Sequence, residues 1–314
     1  MLLKRSIKKI ILSAFALILL FLMYLIPNNN ISDQYDYVVE YVNKDLITHD
    51  IFLLDNNNYI SKTKIIVSSK EKEDLVKEII EAITINSAKQ DQIPSGFKAI
   101  LNENTKINKL EIKDDLIKID FNESLLDVNN EEQVIEAIVY NLTSIEGIKN
   151  ILIYIDGKLL TYIPKSKITL PSVLNRNYGI NKEYHLTSNK NITKTTIYYI
   201  SKFNDNIYYT PVTKISNDLN DKAQIIVEEL ADNVSNDLGS YLNYNTKLVS
   251  MEINQDNLIL NFNDYILSDK DNLKILDEVT DTISLSVFDN YDVNNVVFEV
   301  NGKEICKKEN KTLE

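Results

Sequence analysis

The sequence predicts an α+β protein in which two small tandem α/β sandwich modules follow an N-terminal transmembrane helix. Three observations carry this prediction. An uncharged apolar run lies close to the N-terminus, directly after four basic residues. A stretch of 19 residues occurs twice, as 104–122 and 245–263, with eight identities, which indicates a duplicated structural unit. The composition, with 44% hydrophobic and 25% charged residues, excludes a wholly disordered chain.

The N-terminus combines a basic tail, residues 1–9, with the apolar segment 10–26. At about 1.5 Å per residue this segment is near the lower limit for spanning hydrocarbon, yet longer than the apolar region of most cleaved signals. Bulky residues at 22–26 offer no small-residue cleavage site. We expect an uncleaved signal anchor, with a cleaved signal as the alternative. The positive-inside rule then predicts a single-pass protein of the cell membrane whose C-terminal part is extracytoplasmic.

Each unit begins with a predicted hairpin, because two runs rich in β-branched and aromatic residues flank a turn of Asn and Asp. The hairpin strands are Ile51–Leu54 with Ile60–Val67, and Thr196–Ile200 with Ile207–Ile215. A helix follows in each unit, since apolar residues recur every three to four positions. The predicted helices are Glu71 to about Ile85 and Asp221 to about Asn233.

The second half of each unit contains another hairpin, another helix and a closing strand. The hairpins are Ile107–Ile112 with Leu116–Phe121, and Leu248–Ile253 with Leu258–Phe262. The helices are Glu131–Ile145 and Asn272–Phe288, and the closing strands are Ile151–Ile155 and Val296–Val300, each followed by a tight turn at Asp156-Gly157 or Asn301-Gly302. The order of the core elements is therefore αββαβ, which is typical of a sandwich with helices on one face of a small sheet.

These elements set the predicted domain boundaries. They are a juxtamembrane segment at 27–48, a first module at 49–165, a linker at 166–194, a second module at 195–306 and a C-terminal tail at 307–314. The linker contains Pro and Gly without a clean period. Alternating tyrosines suggest an additional edge strand at 33–44, and the longer loop of the first unit, 87–104, is expected to be a solvated insertion.

The strand ends and closing turns of both units resemble the GerM (germane) domain family. The matching segments are Ile117–Asn122 and Leu258–Asn263 (IKIDFN and LILNFN), and Ile153–Gly157 and Phe298–Gly302 (IYIDG and FEVNG). The resemblance covers about residues 50–163 and 195–305. It implies a protein of sporulation or spore germination in Gram-positive bacteria, a fold similar to ring-building motifs, and a non-enzymatic role.

Direct inspection for chemistry predicts no catalytic, cofactor-binding or metal site. One cysteine, two histidines and six scattered glycines exclude thiolate metal sites and glycine-rich phosphate loops. His49, His185 and Cys306 are each isolated. Asp120 and Asp127 could form an acid–base pair, but the second unit has Asn261 in place of Asp120. Residues 289–294 lack the alternating oxygen ligands that calcium needs.

Three functional classes follow. The favoured one is a scaffold or assembly factor that binds other envelope or spore-assembly proteins. The alternative is a ligand-recognition module, for example for a peptidoglycan fragment, that uses Tyr198, Tyr199, Tyr208 and Tyr209; a carboxylate-dependent hydrolase is the third. Without the basic tail the charge is about −16, so nucleic acid is not an expected partner.

Overall fold

Two copies of one structural unit follow each other in a computed structural model that describes residues 14–15, 17–18, 46–232 and 237–310. The first module contains β1 (Thr48–Asp55), β2 (Ile60–Ile66), α1 (Lys72–Ala82), β3 (Phe97–Lys98), β4 (Ile107–Lys113), β5 (Leu116–Phe121), α2 (Glu131–Leu142), β6 (Asn150–Ile155) and β7 (Lys158–Leu159). The connecting segment contains β8 (Tyr162–Ile163), β9 (Ile168–Thr169) and β10 (Glu183–His185). The second module contains β11 (Thr193–Phe203), β12 (Asn206–Ser216), α3 (Lys222–Ala231), β13 (Leu248–Asn254), β14 (Asn257–Phe262), α4 (Asp277–Asn290), β15 (Asn295–Val300) and β16 (Lys303–Glu309). The prediction of two tandem α/β modules is confirmed.

The helix starts follow from local capping. The Asn130 side chain accepts the N–H of Gln133 at 3.2 Å at the start of α2, and the Asp221 carboxylate accepts the N–H of Ala223 at 2.9 Å at the start of α3. Such caps satisfy backbone donors that have no partner within the helix. Glu131 and Glu132 occupy the first turn of α2, where negative charge is favourable.

Each module has a four-stranded mixed sheet. The strand orders are β4-β5-β6-β7 and β13-β14-β15-β16, and in each sheet only the two central strands are parallel. Alternate residues of β5 and β14 are buried in the same pattern. The fully buried aromatic rings of Phe121 and Phe262 lie at equivalent ends of these strands. The duplicated sequence therefore specifies the same sheet twice.

A third sheet contains strands from both modules. The hairpins β1–β2 and β11–β12 meet where Lys62 of β2 pairs with Tyr209 of β12. Farther along the same edge of β12, β10 of the connecting segment pairs in parallel with residues 214–216. The six-stranded sheet thus contains the connecting segment as well as one hairpin of each module. This shared sheet is one of the contacts between the two modules.

The start of α4 differs from the sequence prediction. The prediction places it at Asn272, but the helix begins at Asp277. The Asp269 carboxylate accepts the backbone N–H groups of Asp271 and Asn272, each at 3.0 Å. Short acidic side chains that bond to nearby backbone donors favour turns over helix. The segment then closes with backbone pairing between Asp269 and Lys274.

Strand β16 is a feature that the sequence prediction lacks. The tight turn at Asn301-Gly302 has both residues in the left-handed region, with φ of 52° and 77°, so the chain folds back as a hairpin. Residues 303–309 then pair with β15. Cys306 consequently lies within a strand, opposite Phe298, rather than after the last strand.

Some predictions fall on residues outside the described part of the chain. These are the basic tail, nearly all of the segment 10–26, most of the juxtamembrane segment with its edge strand, and residues 311–314. Within the described part, none of the helices combines the length and apolar character that crossing a membrane requires. The signal anchor stays a prediction.

Candidate functional site: the junction between the modules

Both histidines occupy structural or exposed positions. His49 on β1 is 1% exposed, and its Nε2 lies 2.9 Å from the hydroxyl of Ser144. Burial lowers the pKa of His49 to about 4, so the imidazole is neutral at physiological pH. His185 on β10 is exposed and lies 3.5 Å from a carboxylate oxygen of Glu183.

Asp120 has the same contact as its counterpart in the second module. Its carboxylate accepts the N–H of Gly157 at 3.0 Å, and the amide oxygen of Asn261 accepts the N–H of Gly302 at 3.0 Å. Either side chain supplies the one acceptor that the turn needs. Asp127 ends the turn after β5, where its backbone carbonyl accepts the side-chain amide of Asn102. The carboxylates of Asp120 and Asp127 do not contact each other.

The four tyrosines proposed as a ligand platform are engaged within the protein. Tyr198, Tyr199 and Tyr208 are buried, and Tyr209 is partly buried. Their hydroxyls donate to carboxylates in three cases: Tyr198 to Asp289, Tyr208 to Asp55 and Tyr209 to Asp281. These tyrosines do not form an exposed platform for a ligand, because three of the four are buried and three of their hydroxyls already bind carboxylates of the protein.

Cys306 and the acidic segment 289–294 also have ordinary surroundings. Burial raises the pKa of the Cys306 thiol, which disfavours the nucleophilic thiolate. In the acidic segment, Asp289 bonds to Arg176, and Asp292 pairs with Lys149 at 2.9 Å. Among the described residues, no three metal-ligating side chains are grouped in a way that could hold an ion.

The second helix of each module holds the first hairpin by side-chain amides and hydroxyls. In the first module, the side chain of Asn141 on α2 accepts the N–H of Phe52 at 2.9 Å and donates to its carbonyl at 2.8 Å. In the second, Asn290 on α4 makes the same pair of bonds with Thr196, at 3.2 and 2.6 Å. These bonds occupy strand-edge groups that would otherwise lack partners. The anchoring of a hairpin to a helix is therefore common to both copies.

Arg176, in the connecting segment, joins the two modules. Its Nε donates to Thr143 of the first module at 3.0 Å, and its Nη1 donates to Asp289 of the second. The guanidinium carbon lies 4.8 Å from the ring centroid of Tyr140. Burial opposes the charge of Arg176, but Asp289, Tyr198 and Tyr140 together outweigh this effect and the pKa of the guanidinium is raised. Planar, multi-donor geometry of this kind suits arginine and not lysine.

Asn181, also in the connecting segment, links strands of both hairpins. Its side-chain oxygen accepts the N–H of Ile60 at 2.9 Å, and its side-chain nitrogen donates to the carbonyls of Ile60 and Pro211 at 2.8 and 2.7 Å. Its backbone N–H donates to Glu136 at 2.9 Å. The φ of 46° lies in the left-handed region, which Asn tolerates better than most residues.

A buried ion-pair cluster lies beside Asn181. Lys182 contacts Glu132 at 2.7 Å and Glu136 at 3.3 Å, and its ammonium lies 3.5 Å from the ring centroid of Tyr178. The Lys182 and Glu136 side chains are 7% and 6% exposed. Burial raises the pKa of Glu136 to about 7, although Lys182 and the N–H of Asn181 act in the opposite direction.

A third polar cluster, centred on Asp55, lies where the hairpins meet. The buried Asp55 carboxylate accepts the hydroxyls of Ser61 at 3.0 Å and Tyr208 at 3.2 Å. Ser61 is also 2.7 Å from the hydroxyl of Thr210, which is 2.8 Å from that of Ser201. The chain of hydroxyls thus crosses from the first module to the second, and buried polar groups paired in this way specify one arrangement of their surroundings.

Comparison with known proteins matches this duplicated architecture. The Germane family model, described as sporulation and spore germination, matches residues 50–161 and 196–306. The chain belongs to the Germane family. It is 27% identical over 266 residues to the spore germination protein GerM of Bacillus subtilis, covering 82% of this chain and 72% of that protein. It also resembles the structure of the tandem GerMN domains of that sporulation protein, with a TM-score of 0.74, 26% identity, and coverage of 82% of this chain and 92% of that one.

The long loop of the first Germane module contacts the second module. Gly96 has a φ of 96°, and a Cβ placed on it would lie 2.6 Å from the ring of Phe203 at the tip of β11. The next residue, Phe97, packs edge-on against Tyr208 at 4.8 Å between ring centroids. This part of the loop is therefore a docking element, and the expectation of a solvated insertion is wrong for it.

A cavity of about 730 Å³ lies between the two Germane modules. Its walls include charged residues of both modules and of the connecting segment. Each of the three cations in the walls has an acidic partner: Lys62 with Asp50, Lys149 with Asp292, and Arg176 with Asp289. The walls also contain Glu146 and Glu309, so the cavity has more carboxylates than cations.

Sequence reasoning missed the junction residues, although one signal was present. Arg176 is the only arginine after Arg5 in a chain that otherwise uses lysine for its basic residues. A single arginine in such a chain indicates a site that needs a guanidinium. Asn181 gave no such signal, because it is one of many asparagines and its partners are 121 and 30 residues away in the chain.

Proposed function

We propose that this protein is a non-enzymatic scaffold or assembly factor of the bacterial envelope during sporulation or spore germination. Its family and its likeness to the B. subtilis germination protein associate it with these processes. Its partners are other envelope or spore-assembly proteins, and nucleic acid is not among them. Residues 10–26 anchor it in the cell membrane, with the two Germane modules outside.

The observation that carries this proposal is how the polar residues are used. His49 is buried against Ser144, Asp120 accepts a turn N–H, and Asp289 binds Arg176 at the module junction. Polar groups that rigidly fix two modules relative to each other suit a surface that must present partners at a fixed spacing. The alternative, recognition of a small ligand, loses the tyrosines on which it rested. A hydrolase that uses Asp120 loses its acid, which accepts a turn N–H.

The variant Asn181→Asp tests whether the docked arrangement is what the function needs. A carboxylate keeps the shape and the left-handed backbone, but it places acceptors against the carbonyls of Ile60 and Pro211. Asn177→Asp is the matched control, because Asn177 is exposed and its side chain makes no hydrogen bond in the described part of the chain. We expect Asn181→Asp alone to reduce spore yield or germination in the host.

The result is interpreted together with circular dichroism of the purified variants. Loss of function with retained secondary structure supports a scaffold that depends on docking. Full function in Asn181→Asp, with the junction shown to be open by increased amide exchange at Ile60, contradicts the proposal. Loss of function in His49→Gln or Asp120→Asn at unchanged melting temperature would also contradict it and would indicate chemistry at that residue.

A further inference from the structure

The duplication allows a direct comparison of two edge strands. β4 and β13 are the first strands of the two four-stranded sheets, and among the strands that the structure describes each pairs with one neighbour only. The outer backbone groups of an edge strand can pair with another chain, so proteins usually protect such edges with charges, proline or bulges. Both strands have a bulge at the same place, between positions 107 and 109 and between 248 and 250.

The edge of the first module carries charged protection. β4 has the sequence INKLEIK, with Lys109 and Lys113 both exposed. Glu111 on the same strand is neutralised by Lys118, 3.1 Å away on β5. The apolar residue Ile112 packs against the core of its module. An incoming strand would have to desolvate these lysines.

The edge of the second module keeps the bulge but lacks the lysines. β13 has the sequence LVSMEIN, without lysine or proline. The three positions that are Asn108, Lys109 and Lys113 in β4 are Val249, Ser250 and Asn254. Val249 is 63% exposed and Ile253 is 54% exposed, although Ile253 corresponds to the packed Ile112. A strand edge of this composition is favourable for β-strand addition.

The two edges also differ in charge. Glu252 corresponds to Glu111, but Ile259 stands opposite it where β5 has Lys118. Among the residues that the structure describes, Glu252 forms no ion pair, and it is exposed. The formal charge of β4 is therefore +1, and that of β13 is −1. A basic side chain on an added strand would complement Glu252.

We propose that the β13 edge of the second module is a docking site for an extended, basic segment of a partner protein, which adds to the sheet as a fifth strand. The partner's apolar side chains contact Val249 and Ile253, and a lysine or arginine pairs with Glu252. The β4 edge of the first module is closed to the same partner. The identity of the partner as an envelope protein rests on the function proposed above, but the docking edge does not.

Charge argues for a different protein as the occupant rather than a second copy of this chain. The whole chain has a formal charge of −12, so two copies repel each other. Antiparallel pairing of two β13 edges in the register centred on Glu252 would also bring two Glu252 carboxylates together, and like charges on paired strands are destabilising.

Exchange of the two edges tests the proposal on the full chain. The triple variant V249N/S250K/N254K gives β13 the edge of β4, which folds in the first module and is therefore compatible with this sheet. The reciprocal variant N108V/K109S/K113N gives β4 the edge of β13. The probe is the N-acetylated, C-amidated peptide Lys-Val-Lys-Val-Lys-Val, with a version containing a central proline and a version with Glu for Lys as controls.

Binding is measured by amide hydrogen exchange and NMR shifts at β13. We expect the basic peptide to protect β13 amides in the parent, the first variant to bind at least about tenfold more weakly, and the reciprocal variant to gain binding at β4. The proline and Glu peptides should bind weakly to all three. Equal binding by the parent and the first variant overturns the proposal, as does equal binding of the Glu peptide.

Two further outcomes separate this inference from neighbouring ones. A parent that dimerises with increasing concentration, and loses the dimer in the first variant, identifies a second copy as the occupant and overturns the choice of partner. In the second outcome, peptide binding changes with the edge exchange, but the Asn181→Asp variant still supports sporulation. This result supports the docking edge and contradicts only the proposal that function depends on docking of the modules.

Discussion

At the scale of single residues, burial shifts the pKa values of two groups in opposite directions. His49 is buried beside Ser144, where the charged form is disfavoured and the pKa falls to about 4. Glu136 is buried beside Lys182, yet burial outweighs this partner and raises its pKa to about 7. Both shifts favour the neutral form. The pH dependence of folding therefore contains two contributions of opposite sign.

The sign of each contribution follows from which state binds more protons. The folded pKa of Glu136 is raised from 4.5, so its stabilisation is complete below about pH 4.5 and is lost as pH rises towards 7. The folded pKa of His49 is lowered from 6.5, so its stabilisation is present above pH 6.5 and is lost as pH falls towards 4. Between pH 4.5 and 6.5 the two slopes oppose each other.

We expect Glu136→Gln to remove one of these slopes. The free energy of unfolding of this variant should rise with pH between 4.5 and 6.5 more steeply than that of the parent, by at most on the order of 3 kcal/mol across the range. Urea titrations at four pH values measure the difference. His49→Gln is the control, with a change of the opposite sign. Identical slopes for Glu136→Gln and the parent would show that Glu136 titrates alike in both states.

At the scale of elements, local pattern predicted most of the fold. The hairpins and the first three helices lie within a few residues of their predicted bounds, because periodicity and turn residues are local properties. The start of α4 was placed too early because Asp269 and Asp271 suit a helix N-terminus as well as the turn they form. The sequence of β16, with three lysines in KEICKKE, hides a strand whose apolar residues are few.

The junction could not be predicted by the same reasoning. Its residues lie in a segment without period, and their partners are distant in sequence: Arg176 bonds to Asp289, 113 residues away, and Asn181 to Ile60, 121 residues away. Which polar side chain meets which strand depends on how finished elements pack. The single arginine was therefore the one sequence signal for the candidate site, whereas the duplicated pattern predicted the fold.

Neighbouring residues on β5 should respond very differently to substitution. Asp120 supplies one acceptor to the turn, and Asn261 supplies the same acceptor in the second module, so Asp120→Asn should change stability by less than about 0.5 kcal/mol. Phe121 points to the opposite face and is fully buried, so Phe121→Ala should cost about 3–5 kcal/mol. Chemical denaturation measures both. A cost for Asp120→Asn close to that of Phe121→Ala would show that the charge itself is required.

At the scale of the whole molecule, the connecting segment makes the two modules one cooperative body. The first core includes Leu170, Leu174, Tyr178 and Ile180 of that segment together with Tyr198 of the second module. The modules also share one sheet through Lys62 and Tyr209. Because the two modules bury residues against each other and against the segment, neither keeps its full core when the other unfolds.

We expect a single calorimetric unfolding transition for the described body. Arg176→Lys should lower the free energy of unfolding by about 2–4 kcal/mol and shift the whole transition to lower temperature. Lysine cannot contact Thr143 and Asp289 together, and it leaves Asp289 with a weaker partner. Lys149→Arg is the matched control. Lys149 and Asp292 also form a cation–acid pair across the modules, but their side chains are 65% and 92% exposed, so the change should be below about 0.5 kcal/mol.

The number of calorimetric transitions distinguishes two modules that unfold cooperatively from two that unfold independently. If the modules unfold together, Arg176→Lys shifts one peak and its calorimetric enthalpy still equals the van't Hoff enthalpy. Two resolved peaks in the parent, of which Arg176→Lys moves only one, would show that the modules unfold independently and that the junction does not couple them. The buried arginine then stabilises its own surroundings, and the fixed spacing on which the scaffold role depends would have to come from a bound partner instead.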